Sequence, residues 1–187
     1  MPLNFKETIF KDLKIIEPHV FNDERGSYIK FFSSDAFEIN GIPTAFTEFS
    51  EIVAKKGSLR GLHYQLRNPQ GKLIRLISGA IFDVAVDIRE NSETFGMAYC
   101  CLLSDGSNEC VYIPSGFAHG FLALKDSIFL YESTGLYDPL SSGIIKWSDE
   151  TLDIKWPIQG LQLIISEKDQ NGMSFESFKR LIKEKKE

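Results

Sequence analysis

Short runs of β-branched and aromatic residues, separated by turn residues, follow one another along most of this 187-residue chain. Runs of this length favour β-strands, and strands at such short intervals are typical of an all-β sandwich or barrel rather than a parallel α/β sheet. The pattern predicts strands at Ser27–Phe32, Thr44–Phe49, Ser58–Leu62, Leu73–Ser78, Ile81–Ile88, Met97–Leu103, Glu109–Ile113, Gly120–Leu124 and Ile128–Thr134.

Helical patterns are scarce. Ser34 is suited to cap a short helix over Asp35–Ile39, which Asn40 and Gly41 would end. Apolar residues recur at helical spacing among lysines in the C-terminal tail, at Phe175, Phe178, Leu181 and Ile182. No repeat or linker interrupts the chain, so we expect one domain over residues 1–187, with 170–187 forming a peripheral helix.

Charge and composition narrow the class of partner. The chain carries 21 basic and 26 acidic residues, a net charge of −5, which argues against non-specific binding to nucleic acid or to a membrane surface. It has no apolar run of signal-peptide length, and its three cysteines form no CxxC pair. These features predict a soluble, cytoplasmic protein with reduced cysteines.

Two of the three histidines lie at the ends of predicted strands, where functional side chains are often found. His63 follows a predicted strand and has Arg60 and Lys72 nearby, whereas His119 follows a turn that enters a strand. Asp83 and Asp87 alternate along a strand and share one of its faces. That face is either exposed to solvent or turned into a polar barrel lumen where Asp83 orients a histidine, and the residues alone leave both interpretations open.

The sequence lacks the usual signatures of metal and cofactor sites. In an H-x-H metal pair, the position of the second histidine after His63 is occupied by Gln65. No glycine-rich nucleotide motif opens a helix, and no G-x-S-x-G elbow is present. We therefore expect no metal and no cofactor, so an enzyme of this sequence would work through acid–base side chains.

Five motifs, in order, resemble the dTDP-4-dehydrorhamnose 3,5-epimerase family. The resemblance runs from Pro18 to Asp169 and covers most of the chain. It implies a cupin-like jelly roll that epimerises a nucleotide-linked 4-keto sugar. The motifs lie at residues 60–65, 70–75, 79–89, 114–121 and 165–169.

The resemblance implies a role for each of four catalytic residues. His63 is the base that removes a proton next to the ketone, and Asp169 holds its second ring nitrogen. Tyr131 matches the proton donor of the family. Lys72 would stabilise charge on the enolate oxygen.

The substrate-binding positions follow from the same resemblance. Arg25 and Arg60 match contacts to the diphosphate, for which a guanidinium has suitable geometry. His119, Tyr137 and Lys168 match further positions of the substrate site. Without the family, we would interpret Arg25 as a surface turn residue and Tyr131 and Tyr137 as core or rim tyrosines.

The family also implies a homodimer. An N-terminal strand would cross to the partner subunit and bring Arg25 to the neighbour's site. The stretch at Tyr28, Ile29, Phe31 and Phe32 is very apolar for an early edge strand, which proteins normally pair or cover.

The chain departs from its family where the base of the nucleotide is expected. Lys30 replaces a glutamate, Glu48-Phe49-Ser50 replaces a Gln-x-Asn pair, and Ser142 takes the place of another glutamate. Because Glu48 could accept hydrogen bonds from guanine, we predict a GDP-linked 4-keto sugar, either a heptose or a deoxyhexose for a surface polysaccharide.

Two alternatives stay open at this point. The same catalytic set would serve an enzyme that inverts only C3 or only C5, or a ketoisomerase. The other alternative is a sugar-nucleotide-binding protein without catalysis, although binding alone requires neither a base, an acid nor an orienting carboxylate.

Overall fold

Antiparallel strands make up most of the regular secondary structure in the computed structural model, which describes residues 3–184. The strands are β1 Leu3–Glu7, β2 Lys14–Pro18, β3 Val20–Asp23, β4 Gly26–Ile29, β5 Glu48–Ala54, β6 Ser58–Gln65, β7 Lys72–Ser78, β8 Ala80–Asp87, β9 Ala98–Ser104, β10 Cys110–Ile113, β11 Phe117–Ala123, β12 Ser127–Ser133, β13 Ser142–Ile144 and β14 Ile164–Ile165. The first sheet has the strand order β1-β2-β10-β7-β12-β5, and the second has the order β13-β6-β11-β8-β9 with β14 beside β6.

The two sheets pack face to face around one apolar core. Ile74 and Phe129 of the first sheet meet Ala85 and Phe121 of the second, and the rings of Phe121 and Phe129 contact edge to face at 4.9 Å. Burial of each phenylalanine contributes about 2–3 kcal/mol, so alternating inward positions on both sheets hold the sandwich closed. The predicted jelly roll is confirmed.

Two predicted strands are wrong in position. The run Thr44–Phe49 is irregular up to its end, and β5 instead covers Glu48–Ala54. Residues 27–32 form a strand only as far as Ile29, because the next three residues leave it: Phe32 packs edge-on against Phe37 at 4.8 Å. Aromatic packing outside a ladder thus explains apolar residues that the pattern assigned to strands.

Strands β1, β2 and β3 were not predicted, because charged and polar residues break their alternation. β1 is mostly exposed at the sheet edge, and β3 pairs only with β4 in a separate hairpin. The hairpin of β3 and β4 (Val20–Ile29) carries Arg25 at its tip.

Three helices lie outside the sheets: α1 Ser34–Ile39, α2 Glu167–Gln170 and α3 Phe175–Glu184. The predicted cap at Ser34 is wrong, since Ser33 is the N-cap of α1 and makes no side-chain capping bond. In the segment predicted as a C-terminal helix over 170–187, α3 covers only Phe175–Glu184, and residues 171–174 are not helical. Phe178 of α3 is fully buried against Tyr64, with ring centroids 4.9 Å apart. Residues 185–187 of that prediction, and the first two of the chain, lie outside the described residues.

Candidate active site

A histidine–carboxylate pair lies at one end of the sandwich. His63 is on β6, and its Nε2 is 2.6 Å from Oδ1 of Asp169 in α2. Asp169 is only 4% exposed, and the backbone N–H of Gly61 also donates to its Oδ1 at 3.4 Å. Strand β14 pairs with the start of β6 and holds the chain leading to α2 beside the histidine.

The environment of His63 favours a neutral imidazole. The surrounding protein removes water from one side of His63, whose side chain is still 46% exposed, and this desolvation lowers its pKa below the usual value of 6.5. Asp169 opposes that shift, and the charge of Lys72 adds to the lowering. Since a carboxylate only accepts hydrogen bonds, Nε2 carries the hydrogen of the neutral ring. The Nδ1 lone pair of His63 is left free to act as a base.

A second pair lies beside the first. Nε2 of His119 on β11 is 2.8 Å from Oδ2 of Asp83 on β8, and both side chains are buried. The inward interpretation of Asp83 is therefore correct and the solvent-exposed one is wrong. Asp87 is buried as well, but its partners are Arg89, Ser92 and Thr94 rather than a histidine.

The opposite sheet supplies a phenol and an ammonium. Tyr131 projects inward from β12, and its ring centroid is 6.0 Å from that of His119. Lys72 begins β7, is 5% exposed, and has its Nζ 5.8 Å from the Tyr131 ring centroid. The site therefore combines a neutral histidine, a phenol and a buried cation from three different strands.

These side chains surround a cavity of about 580 Å³. His63 and Tyr131 border it, together with Lys72, and both also border an inner chamber of about 200 Å³. A space of this size is large enough for a sugar with part of its nucleotide. Within residues 3–184, no three His, Cys, Asp or Glu side chains cluster as a metal site would require.

The structure brings most of the predicted site residues together. Glu48, Tyr137 and Lys168 line the main cavity, while Arg60 and His119 line the inner chamber. Asp169 supports His63 from behind and borders a third hollow with Arg60 and Lys168.

Two predicted residues do not line these cavities within one chain. Arg25 is exposed and paired with Asp23 at 2.6 Å. Lys30 directly follows β4 and is half-buried away from the cavity lining.

Two residues without a predicted role belong to the site. Gln70 lines the cavity and donates to Glu48 Oε2 at 3.2 Å and to the Gly135 carbonyl at 2.6 Å. Ser166 donates to Asp169 Oδ2 at 2.7 Å. Both lie within the family motifs, but neither residue type marks a catalytic role, so the sequence offered no further signal.

Comparison with known proteins gives the family. The sequence model of the dTDP-4-dehydrorhamnose 3,5-epimerase family matches residues 7–177. The chain belongs to that family. A dTDP-4-dehydrorhamnose 3,5-epimerase of Methanothermobacter thermautotrophicus is 46% identical over 169 residues, covering 89% of this chain and 91% of the relative. That of Escherichia coli K12 is 43% identical over 182 residues, covering 96% and 98%.

Solved structures of the 3,5-epimerase family share the fold. The Legionella pneumophila dTDP-6-deoxy-D-glucose-3,5-epimerase, in complex with dTDP-4-keto-L-rhamnose, is 40% identical with a TM-score of 0.89 and covers 94% of each chain. The predicted resemblance and the predicted epimerase activity on a nucleotide-linked 4-keto sugar are confirmed. No helix among residues 3–184 is long and apolar enough to span a membrane.

Proposed function

We propose that this chain inverts both C3 and C5 of a dTDP-linked 4-keto-6-deoxy sugar by proton transfer through an enolate. The observation that carries the proposal is the contact of His63 with Asp169 at 2.6 Å, at a cavity that Tyr131 also borders. An acid and a base on either side of a sugar ring are what inversion next to a ketone requires.

The chemistry follows from the ketone at C4, which acidifies the protons on C3 and C5. Nδ1 of His63 takes a proton, and the electron pair of the broken C–H bond becomes the enolate. Tyr131 then gives its phenolic proton to the same carbon from the other ring face. The carbon is inverted, His63 has gained a proton and Tyr131 has lost one, so both must be reset before the second carbon reacts.

Lys72 and His119 serve the developing negative charge in this proposal. Lys72 is a buried ammonium near Tyr131, where it can stabilise the enolate oxygen. His119, held by Asp83, borders the inner chamber with Tyr131 and can contact the sugar.

The diphosphate would meet cations at the cavity rim. Arg60 and Lys168 both border the hollow behind His63, and both side chains are exposed. Arg25 is 90% exposed on its hairpin and does not line the main cavity of its own chain, which supports its predicted place in a neighbour's site.

A homodimer is part of the proposal, and exposed apolar side chains support it. The hairpin of β3 and β4 exposes Phe21 by 43% and Tyr28 by 58%, and the edge strand β5 exposes Phe49 by 71% and Val53 by 67%. Large apolar side chains on a hairpin and a sheet edge are those that proteins normally cover.

For the base of the nucleotide we propose thymine. Relatives named dTDP-4-dehydrorhamnose 3,5-epimerase are 46% and 43% identical to this chain, and a solved Bacillus anthracis relative, 33% identical, holds TDP. Guanine remains a prediction from the sequence, and the hydrogen bonds of Glu48 argue against it. Oε2 of Glu48 already accepts hydrogen bonds from Gln70 and from the backbone N–H of Tyr137, at 3.1 Å for the latter. Guanine would need both carboxylate oxygens, one for N1–H and one for the amino group, and one of the two is already occupied.

Inversion at a single carbon is the second candidate, because one structural relative supports it. ChmJ of Streptomyces bikiniensis, a 3'-monoepimerase, has a TM-score of 0.87 at 28% identity. The higher identity to relatives named 3,5-epimerases favours double inversion. Binding without catalysis no longer stands, because the chain belongs to an epimerase family. Ketoisomerase activity, a cytoplasmic location and a role in surface polysaccharide remain predictions from the sequence.

Product analysis tests this proposal. The protein is incubated with dTDP-4-keto-6-deoxyglucose, the ketone is reduced with borohydride, and the sugars are released and identified. Double inversion yields L-rhamnose and its C4 epimer, whereas inversion at C3 or C5 alone yields sugars changed at that carbon only. Sugars inverted at one carbon only, or at neither, would contradict the proposal. Calorimetric titration with dTDP and GDP decides the base, and tighter binding of GDP would contradict thymine.

A further inference from the structure

Asp169 has two carboxylate oxygens, and each has its own partner. Oδ1 contacts Nε2 of His63, whereas Oδ2 accepts from the hydroxyl of Ser166 at 2.7 Å. Oδ1 also accepts the backbone N–H of Gly61, but that contact is long at 3.4 Å. The shorter bond from Ser166 is therefore the tighter restraint on the plane of this buried carboxylate.

Ser166 makes two hydrogen bonds with the same residue. It is the N-cap of α2, where its Oγ accepts the backbone N–H of Asp169 at 3.1 Å while its own hydrogen goes to Oδ2. An ordinary cap satisfies only the backbone of the helix. Here one hydroxyl fixes both the backbone and the carboxylate plane of Asp169.

The backbone around Ser166 is itself held against the strand of the base. Ile165 of β14 pairs with Leu59 of β6, four residues before His63. The hydroxyl of Ser166 therefore starts from a fixed place relative to His63, as a positioning group must.

We propose that Ser166 is a positioning residue for the base: it aims Asp169 at Nε2 of His63 and so keeps Nδ1 free of hydrogen. This inference rests on the proposed function, since it matters only if Nδ1 removes the substrate proton. Without Ser166 the carboxylate of Asp169 can turn, and neutral His63 can place its hydrogen on either nitrogen. The fraction with hydrogen on Nδ1 has no lone pair facing the substrate.

Ser174 provides a matched control at the other C-terminal helix. It precedes α3, accepts the backbone N–H of Ser177 at 3.1 Å and donates to the Ser177 hydroxyl at 2.9 Å. Ser166 and Ser174 thus make the same pair of bonds to the residue three positions on, and both are exposed. Only Ser166 reaches a histidine through its partner.

The experiment compares Ser166→Ala, Ser166→Thr and Ser174→Ala in the full chain. Nitrogen-15 spectra of the three imidazoles report the tautomer of His63 without any ligand, so this readout is independent of the substrate. We expect hydrogen on Nε2 in wild type, in Ser166→Thr and in Ser174→Ala, and a mixture of tautomers in Ser166→Ala. With dTDP-4-keto-6-deoxyglucose as substrate, kcat of Ser166→Ala should fall about tenfold while KM changes little.

An unchanged tautomer in folded Ser166→Ala would overturn the inference, and so would an equal loss of kcat in Ser174→Ala. If Ser166→Ala does not fold, Ser166→Thr decides, because a retained hydroxyl must then retain both tautomer and kcat. A tautomer mixture in a protein that epimerises nothing would contradict the proposed function while leaving the positioning of His63 intact.

Discussion

His63 and His119 are directly opposite each other on the antiparallel strands β6 and β11, and each binds a carboxylate through Nε2. They differ in access: the His63 side chain is 46% exposed and that of His119 is 5% exposed. The exposed imidazole can meet a substrate proton, whereas the buried one is fixed in place. The two histidine–carboxylate pairs are alike in geometry, and their difference in burial indicates that they have different roles.

Asp169→Asn should reduce kcat and change its pH dependence. The amide cannot hold the Nε2–H tautomer as the carboxylate does, so kcat should fall by roughly a hundredfold or more. Asp169 raises the pKa of His63 against the effect of burial, so its loss lowers that pKa further.

Because only neutral His63 is a base, kcat/KM falls as pH drops through the pKa of His63. The acid limb of the Asp169→Asn profile should therefore lie at lower pH than that of wild type. A profile measured from pH 4 to 8 checks the direction. An acid limb shifted to higher pH would contradict this account of His63.

Tyr131→Phe should separate proton removal from completed inversion. His63 can still remove the proton, but the ring face opposite to it has no donor, so inverted product should fall by roughly 10²–10³-fold. Deuterium from solvent should still enter the recovered starting sugar, which proton NMR detects. Leu130→Ala, on the outer side of the same strand, is the control, and unchanged product formation in Tyr131→Phe would assign Tyr131 to packing.

Arg25 can be tested by mixing subunits. Chains carrying Arg25→Ala are co-expressed with chains carrying His63→Asn, each inactive alone. If Arg25 serves the neighbour's site, mixed dimers contain one site with both residues intact, and random pairing should restore about a quarter of wild-type activity.

No recovery from tagged, purified mixed dimers would place Arg25 in the site of its own chain. Sedimentation of the wild-type protein checks the assembly separately. A stable monomer with full activity would contradict the homodimer.

Asp87 should contribute to stability at neutral pH. Its pKa is lowered to about 2: burial acts against that shift, and hydrogen bonds from Arg89, Ser92 and Thr94 outweigh it. A lowered pKa contributes stability above about pH 4 that is lost as pH falls toward 2.

Asp87→Asn should therefore lower the free energy of unfolding by about 2 kcal/mol at pH 7, with the difference shrinking below pH 4. Urea unfolding at pH 7 and pH 3 measures it. Asp105→Asn is the control, because Asp105 is exposed and its ion pair with Lys125 is long, at 3.9 Å. An equal loss at both pH values would contradict the linkage.

The sequence was most informative where hydropathy and motif coincide. The strands that carry His63, Lys72, Asp83 and Tyr131 were predicted within a few residues, because apolar alternation there follows the core. The family motifs then supplied roles that residue types alone left undecided, as for Asp83.

What the sequence did not predict depends on contacts between distant segments. β5 begins at Glu48 because Phe46, two residues earlier, packs edge-on against Phe32 at 6.1 Å instead of joining a ladder, and Phe32 in turn packs against Phe37. Ser166 has an ordinary capping pattern, and only the fold shows that its partner is the carboxylate behind His63. Arg25 lies at the exposed tip of the β3–β4 hairpin and lines none of the three cavities described above, so its role depends on contacts that its own strand pattern does not encode.

Deuterium incorporation tests the central claim most directly. Wild type and His63→Asn are incubated with dTDP-4-keto-6-deoxyglucose in deuterated water, and mass spectrometry and NMR count deuterium at C3 and C5. Wild type should place deuterium at both carbons. His63→Asn should place it at neither while binding dTDP within a few-fold of wild type. Incorporation by His63→Asn near the wild-type rate would contradict the assignment of His63 as the base.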